Sequence, residues 1–238
     1  MNFLFGLIKT IWLAFWICLA TLIVFFPITL TALLSRSGNL AFSISQVWAW
    51  VVLKVTFTRS SVKGKENIKK DESYVVISNH QSHFDIPVLV TKLGIQFRWI
   101  IKKELLKVPL FGYALYASRN IFIDRSNKKE TIKSIHKGIK RLPKGTSLLF
   151  FAEGTRSPDG KIHAFKKGGF VTAIEEQMTI LPVTVNGSRK VLPKGSIVFS
   201  PGAIELVIGD PVDTSGYTSD RIEELIQETR DIIISNFQ

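Results

Sequence analysis

Residues 74–87 read YVVISNHQSHFDIP, an apolar run that passes directly into a polar turn. The run over residues 74–78 is typical of a buried strand, because it is short, apolar and rich in β-branched side chains. Pro87 fits the first turn of a helix, where the missing N–H costs little, and Ser82 could cap that helix. The stretch therefore predicts a strand, a turn and a helix in succession.

His80 and Asp85 are the chemically important pair of this turn. On a continuous strand their side chains would lie roughly 17 Å apart, so the turn is needed if they are to meet. A carboxylate on one imidazole nitrogen fixes the tautomer and leaves the other nitrogen free to accept a proton from an alcohol or thiol. The pair predicts a general base. On these two residues alone, a structural hydrogen bond remains the alternative.

Beyond residue 60, short apolar runs alternate with amphipathic stretches, which indicates an α/β fold. Strands are predicted over residues 74–78, 97–101, 121–123, 147–151, 180–185 and 203–208. Helices are predicted over residues 86–93, 129–141, 168–177 and 219–235. We expect a mostly parallel or mixed sheet flanked by helices, with the polar residues 55–73 as a junction before it.

The start of the chain is strongly apolar. Residues 11–34 carry no charge and are long enough to span a bilayer, whereas residues 40–53 are shorter than the roughly 20 residues that a span requires. Four of the five tryptophans lie in these two runs, as is typical of indole rings at the lipid–water interface. We predict a membrane-embedded two-helix segment over residues 1–58; a pair of buried core helices is the alternative.

Charge is distributed unevenly along the chain. Residues 1–60 carry four basic and no acidic groups, residues 61–170 carry 22 basic and nine acidic groups, and residues 171–238 carry five basic and ten acidic groups. The basic residues after the second apolar run place the following domain, residues 59–238, on the cytoplasmic side of a membrane. The surplus predicts an anionic substrate or surface, with nucleic acid as the alternative. The lone Cys18 excludes an intrachain disulfide.

A second cluster follows the predicted strand over residues 147–151. Arg156 offers a planar fork of donors for a phosphate, Thr155 a hydroxyl and Gly154 a close approach of the backbone. Glu153 is predicted to orient the arginine or to bind a substrate hydroxyl. The cluster predicts an anion site; an ordinary Gly-Pro-rich surface loop is the alternative.

Two further stretches lie on either side of this cluster. Residues 102–112 read KKELLKVPLFG, and residues 120–125 read NIFIDR, in which Arg125 is a second candidate for a phosphate ligand or a salt bridge. Residues 180–185 read ILPVTV, a buried strand in which Pro182 predicts an irregularity.

Four segments between residues 74 and 188 resemble, in order and spacing, the motifs of the glycerolipid acyltransferase family. They read NHQSHFD, KKELLKVPLFG with IFIDR, FAEGTRS and ILPVTVNGS. The resemblance is closest to 1-acyl-glycerol-3-phosphate (lysophosphatidic acid) acyltransferases. It implies transfer of an acyl chain from an acyl thioester to the sn-2 hydroxyl of the acceptor, which gives phosphatidic acid in phospholipid biosynthesis.

The resemblance also implies roles for individual residues. His80 would be the base for the acceptor hydroxyl and Asp85 would hold and charge it, with direct attack on the thioester and no acyl-enzyme. Lys102 or a backbone amide would stabilise the oxyanion, and Pro182 would help to form the acyl or acceptor pocket. The residues implied to bind the glycerol phosphate are Arg125, Glu153, Gly154, Thr155 and Arg156.

We expect no bound cofactor and no metal; acyl-CoA or acyl-acyl-carrier-protein would be the co-substrate. The expected partners are lysophosphatidic acid and an anionic membrane surface, not nucleic acid. The expected location is a bacterial-type cytoplasmic membrane with the catalytic domain on its cytoplasmic face. The same chemistry on glycerol-3-phosphate or another lysolipid is one alternative, and a non-catalytic basic protein that binds membrane surfaces is another.

Overall fold

The computed structural model describes residues 3–35, 37–124 and 126–238, and a seven-stranded sheet forms its centre. The strands are β1 (Arg59–Lys63), β2 (Val75–Ser78), β3 (Phe97–Lys102), β4 (Ile121–Ile123), β5 (Ser147–Phe151), β6 (Ile180–Asn186) and β7 (Ala203–Ile208). Their order across the sheet is β1-β7-β6-β2-β5-β3-β4, and every neighbouring pair is parallel except β6 and β7. The carboxyl ends of β2 to β6 therefore lie along the same edge of the sheet. This carboxyl edge is distinct from the outer edge formed by β1.

Helices cover both faces of this sheet. They are α1 (Phe3–Leu34), α2 (Asn39–Val55), α3 (Asp85–Lys92), α4 (Phe111–Ala117), α5 (Lys128–Ile139), α6 (Gly168–Glu175), α7 (Ser188–Val191) and α8 (Ile222–Ser235). Because side chains alternate along a strand, Val76 of β2 packs in the core on the side of α2 and α3, while Val75 and Ile77 pack on the side of α6 and α8. The predicted fold class, a mixed and mostly parallel sheet flanked by helices, is confirmed.

The predicted strands agree with β2 to β7 to within one residue at each end, and the predicted helices with α3, α5, α6 and α8 to within three. The junction predicted over residues 55–73 is wrong in part, because it contains β1 and a 3₁₀ turn, Lys65–Asn67. β1 has one apolar residue, Val62, and pairs only with β7 at the edge of the sheet. An edge strand that is half exposed lacks the apolar signal of a buried strand.

The two N-terminal helices pack against each other, and α2 also packs against α3 and β1. α1 is the one helix, within the described ranges, that is long and apolar enough to span a membrane: its window Phe3–Ala32 has a mean hydropathy of 2.4 and is only 22% buried. α2 instead contributes Phe42, Val52 and Leu53 to the same core as Leu149 of β5. Most of the apolar surface of α1 thus faces away from the protein. The division into residues 1–58 and 59–238 stays a prediction.

Arg98, on β3, connects the loop between α1 and α2 to the sheet. It is fully buried, and its Nη2 donates to the backbone oxygen of Ser37 at 2.9 Å and to Oδ1 of Asn39 at 2.6 Å. Its guanidinium also lies 5.7 Å from the centre of the Phe42 ring. Burial lowers the pKa of Arg98 to about 10. In the part of the chain that the structure describes, this cation has no acidic partner; its Nη1 donates to Oε1 of Gln96 and to the backbone oxygen of Phe97, which are also neutral acceptors.

Candidate functional site

The site lies where the carboxyl ends of β2, β5 and β6 meet, the place where open α/β sheets bind their ligands. The turn after β2 is fixed there by Asn79, which is buried. Its Oδ1 accepts from the backbone N–H of Val185 at 2.7 Å, and its Nδ2 donates to the backbone oxygen of Val185 at 3.0 Å. The amide side chain thus attaches the turn to β6 as a strand would.

The turn brings His80 and Asp85 into contact, with 2.7 Å between Nδ1 and Oδ2. Asp85 is fully buried, and the same Oδ2 accepts from the backbone N–H groups of Gln81 at 2.7 Å and Ser82 at 2.9 Å. Because the carboxylate accepts, Nδ1 of His80 carries the proton and Nε2 is left as an acceptor. The dyad therefore has the tautomer that a general base needs.

The predicted strand, turn and helix are confirmed, and Ser82 makes the predicted capping hydrogen bond just before the helix. α3 begins at Asp85, and the residue before it, Phe84, makes no side-chain cap. Ser82 lies in the turn, where its hydroxyl accepts from the backbone N–H of Phe84 at 3.1 Å and donates to the backbone oxygen of Leu192 at 2.7 Å. Asp85 accepts in return from the backbone N–H of Ser82, so the two side chains satisfy backbone donors where the turn enters the helix.

A stack of two aromatic rings, Phe151 and Trp99, lies against the imidazole of His80. Its ring stacks on Phe151, at the end of β5, with centroids 3.6 Å apart and planes 8° from parallel. Phe151 in turn stacks on Trp99 of β3 at 5.5 Å. The side chain of His80 is only 13% exposed. Stacking fixes the plane of the ring and the bond to Asp85 fixes its rotation within that plane.

The carboxylate of Glu153 binds the backbone of two separate segments, at His80 and at His163. It is buried, its Oε1 accepts from the backbone N–H of His80 at 3.1 Å, and its Oε2 accepts from that of His163 at 3.1 Å. Burial raises the pKa of Glu153, although these two hydrogen bonds oppose the shift. The sequence predicted a contact with Arg156 or a substrate; the observed contacts instead position the His80 turn.

Arg156 lies on the same edge, close to the dyad. Desolvation lowers the pKa of His83, the second histidine of the turn, and the positive charge of Arg156 lowers it further. Its backbone oxygen accepts from Nζ of Lys194 at 2.6 Å, which braces the loop, whereas its guanidinium has no ion pair among the described residues. A cation in this position can bind an anion next to His80.

A cavity of about 550 Å³ lies between the sheet and the helices α5 and α6, and Phe151, which stacks on His80, is one of its lining residues. Its walls are mainly apolar and include Ile77 and Phe151, while Glu153, Gly154 and Thr155 line its polar end. Gly154 has a φ of 73°, a conformation that favours glycine. An apolar cavity with a polar end suits a ligand that has a hydrocarbon chain and a polar group.

The remaining predicted site residues are placed differently. Lys102 ends β3 at the edge of the site, is exposed, and has its Nζ 3.5 Å from Oε1 of Glu104. Pro182 lies within β6 in the buried core, opposite Ile77 of β2, and the pairing of the two strands continues through it. The predicted irregularity lies on the other side of β6, where the pairing with β7 covers only Val183–Asn186 and the next bridge, between Ile180 and Val212, is shifted by one residue. Arg125 lies outside the described residues.

Comparison with known proteins agrees with the motifs. The family model named Acyltransferase matches residues 59–186. The 1-acyl-sn-glycerol-3-phosphate acyltransferase of Pseudomonas aeruginosa is 35% identical over 75% of this chain and 68% of its own. The chloroplastic enzyme of the same name from Arabidopsis thaliana is 32% identical over 72% of this chain and 48% of its own. The chain thus spans about half the length of the chloroplast relatives that it matches.

A crystal structure gives the same result for the fold. The 1-acyl-sn-glycerophosphate acyltransferase PlsC of Thermotoga maritima superimposes with a TM-score of 0.83 at 28% identity, over 99% of this chain and 96% of that one. The sheet and helices match those of this structure, and the dyad lies within the residues that the family model matches. This chain belongs to the acyltransferase family, which confirms the predicted resemblance.

Two general properties accompany this family membership. The long apolar helix α1, together with the bacterial relatives, indicates association with a membrane. The family does not suggest a cofactor, and the described ranges contain no group of three or more His, Cys, Asp or Glu side chains arranged to hold a metal ion.

Proposed function

We propose that this protein transfers an acyl chain from an acyl thioester to the sn-2 hydroxyl of 1-acyl-glycerol-3-phosphate, which yields phosphatidic acid. The observation that carries the proposal is the His80–Asp85 dyad, held at 2.7 Å beside a cationic loop. Relatives from Pseudomonas aeruginosa and Thermotoga maritima bear the name of this activity. The dyad supplies the base and the loop supplies the binding site for the anion.

His80 would act as the general base. Its Nε2 accepts the proton of the acceptor hydroxyl while the oxygen attacks the thioester carbonyl, and Asp85 stabilises the imidazolium that forms. The tetrahedral intermediate collapses with cleavage of the C–S bond, and the leaving thiolate takes the proton from the imidazolium. A positioned base typically contributes about 10²–10⁴-fold, so donors that face the oxyanion supply further acceleration. Lys102 or a backbone amide would provide them.

The phosphate of the acceptor would bind Arg156, with Thr155 and the backbone at Gly154 completing the site. Arg156 suits this role because its guanidinium has no ion pair in the described chain and its charge acts on His83, in the same turn as His80. Arg125 would be a second phosphate ligand. Pro182 would affect the acyl or acceptor pocket through the core of β6, not by direct contact.

The donor would be acyl-CoA or acyl-acyl-carrier-protein. Both acceptor and product are amphiphiles, and withdrawing an acyl chain from the bilayer costs about 0.8 kcal/mol per CH₂. The reaction therefore requires the site to lie at the membrane surface, which α1 and the basic residues 61–170 would bring about. The positive-inside pattern supports a location on the cytoplasmic face of a bacterial-type membrane.

An acyl-transfer assay with vesicle-borne acceptors tests this function. The acceptors are lysophosphatidic acid, glycerol-3-phosphate and lysophosphatidylcholine, each with both thioester donors. We expect turnover of lysophosphatidic acid by the wild type, loss of turnover by His80→Ala, and retention by His83→Ala, the matched control in the same turn. Turnover by a folded, membrane-bound His80→Ala protein would contradict the role of the base.

The same assay tests the anion site. Arg156→Ala removes a charge-assisted hydrogen bond, worth about 1.5–3 kcal/mol, so the apparent KM for lysophosphatidic acid should rise roughly 10- to 100-fold. Arg141→Ala is the control, because Arg141 precedes β5 and lies at the opposite edge of the sheet. An unchanged KM in Arg156→Ala would remove Arg156 from the phosphate site.

A further inference from the structure

The segment between β3 and β4 presents an apolar surface that the proposed chemistry does not use. All residues from 102 to 110 are exposed, although five of these nine are apolar. The exposed apolar side chains of the docking segment, which we define as residues 103–116, are Leu105, Leu106, Val108, Leu110, Tyr113 and Tyr116. A contiguous apolar surface of this kind marks an interaction site.

The docking segment has a defined conformation. The 3₁₀ turn Lys103–Lys107 lies against α4, and the backbone N–H of Gly112 donates to the oxygen of Val108 at 2.8 Å. A Cβ atom at Gly112 would lie 2.5 Å from the backbone oxygen of Leu106, so only glycine permits this contact. The leucines are thus held outward by close packing of the backbone behind them.

The apolar surface of the docking segment continues into that of α1. α4 packs against α1, and the rings of Tyr113 and Phe25 lie 6.1 Å apart. Next to this contact, Phe26 is 72% exposed and Leu30 is 55% exposed. The segment also follows the carboxyl end of β3, the edge that carries the dyad. One apolar surface therefore runs from the membrane helix to the edge of the site.

The charge of the docking segment identifies its partner. Lys103 forms an ion pair with Asp124, whereas Lys107 has no ion pair within the described part of the chain. Apolar side chains with lysines beside them are typical of elements that lie in the headgroup region of an anionic bilayer. An acidic protein would also match the lysines, but continuity with the outer face of α1 favours lipid.

We propose that the docking segment is a second membrane-insertion element, which enters the interface of an anionic bilayer beside α1. This inference rests on the proposed acyl transfer at a membrane. With α1 on one side and the docking segment next to the site, the edge that carries His80 faces the lipid. The acceptor then reaches the base without leaving its leaflet.

Site-specific fluorescence tests the proposal with the full chain. Cys18 is the only cysteine, so Cys18→Ser gives a background in which Leu106→Cys is labelled with an environment-sensitive nitrobenzoxadiazole probe. The control is Lys144→Cys, because Lys144 is exposed and precedes β5, at the opposite edge of the sheet. Vesicles contain phosphatidylcholine with or without phosphatidylglycerol, and flotation measures total binding independently of the probe.

We expect the Leu106 probe to shift to the blue and to be quenched by spin-labelled lipid in anionic vesicles, while the Lys144 probe does neither. Lys107→Gln should weaken partitioning onto anionic vesicles about fivefold, and Lys144→Gln should not. The proposal would be overturned if the protein floats with vesicles while the emission of the Leu106 probe stays that of a probe in water. It would also be overturned if the blue shift occurs only when an acidic carrier protein is added. Failure to float at all would instead contradict the membrane location in the proposed function.

Discussion

Asp85→Asn should lower kcat for acyl transfer by about three orders of magnitude while leaving the fold intact. In the wild type, Oδ2 of Asp85 accepts from Nδ1 of His80 and from the backbone N–H groups of Gln81 and Ser82. The oxygen of an asparagine amide can accept from the same three donors. The substitution therefore removes the negative charge and keeps the geometry of the turn.

The size of the effect follows from the charge that forms during the reaction. When His80 takes the proton, its imidazolium lies next to the Asp85 carboxylate, with 2.7 Å between the bonded atoms. Two unit charges about 4 Å apart, at an effective dielectric constant of about 20, attract by about 4 kcal/mol. Loss of about 4 kcal/mol from the transition state corresponds to about 10³-fold in rate. KM should change little, since the neutral ground state lacks this attraction.

The assay follows release of the free thiol from the acyl thioester in the presence of vesicle-borne lysophosphatidic acid. Thermal unfolding and flotation with vesicles show whether Asp85→Asn remains folded and membrane-bound. His83→Ala, in the same turn, provides the matched control and should keep its kcat. A folded Asp85→Asn protein that retains more than about a tenth of wild-type kcat would refute the electrostatic argument.

Two further predictions concern stability. Burial raises the pKa of Glu153 above its ordinary value of 4.5, so its contribution to the free energy of unfolding is fully present below 4.5 and is lost as the pH rises through the raised value. As the pH rises through this value, the wild type should therefore lose stability relative to Glu153→Gln. If the unfolding temperatures of the two proteins change in parallel with pH, the raised pKa of Glu153 is contradicted. Gly169→Ala would put a Cβ atom 2.6 Å from Cδ1 of Ile77 and 3.2 Å from Cγ of Phe150, and should destabilise by about 1–3 kcal/mol. A Cβ atom at the neighbouring Gly168 would have nothing within 4 Å, so Gly168→Ala should cost nothing in chemical denaturation.

The sequence predicts the dyad well because its determinants are local. An apolar strand followed by a polar turn and Pro87 determines where the chain reverses, and that reversal brings His80 and Asp85 within 2.7 Å. The same holds for β5 and the loop with Arg156, since both follow from short patterns of apolar and polar residues.

The supports of the dyad could not be predicted, because each of them is a contact between distant parts of the chain. Glu153 has the appearance of a substrate ligand in its loop, yet its carboxylate accepts from the backbone N–H of His80, 73 positions away. Phe151 and Trp99 look like ordinary core residues of two strands, and only the order of the sheet shows that their rings stack under the imidazole. The pattern of apolar residues reports burial, not the identity of the neighbour.

β3 is the element that connects the helical hairpin of α1 and α2, and the docking segment, to His80. Near its start, the buried guanidinium of Arg98 holds the loop between α1 and α2. In its middle, Trp99 stacks on Phe151, which carries the ring of His80. The docking segment, residues 103–116, begins directly after the last residue of β3. The first half of β3, Phe97–Trp99, pairs with β5, and the second half, Ile100–Lys102, pairs with β4. In the proposed membrane orientation, the helical hairpin and the docking segment would therefore set the depth of His80 together. The proposed distance from the lipid surface to His80 would then depend on β3.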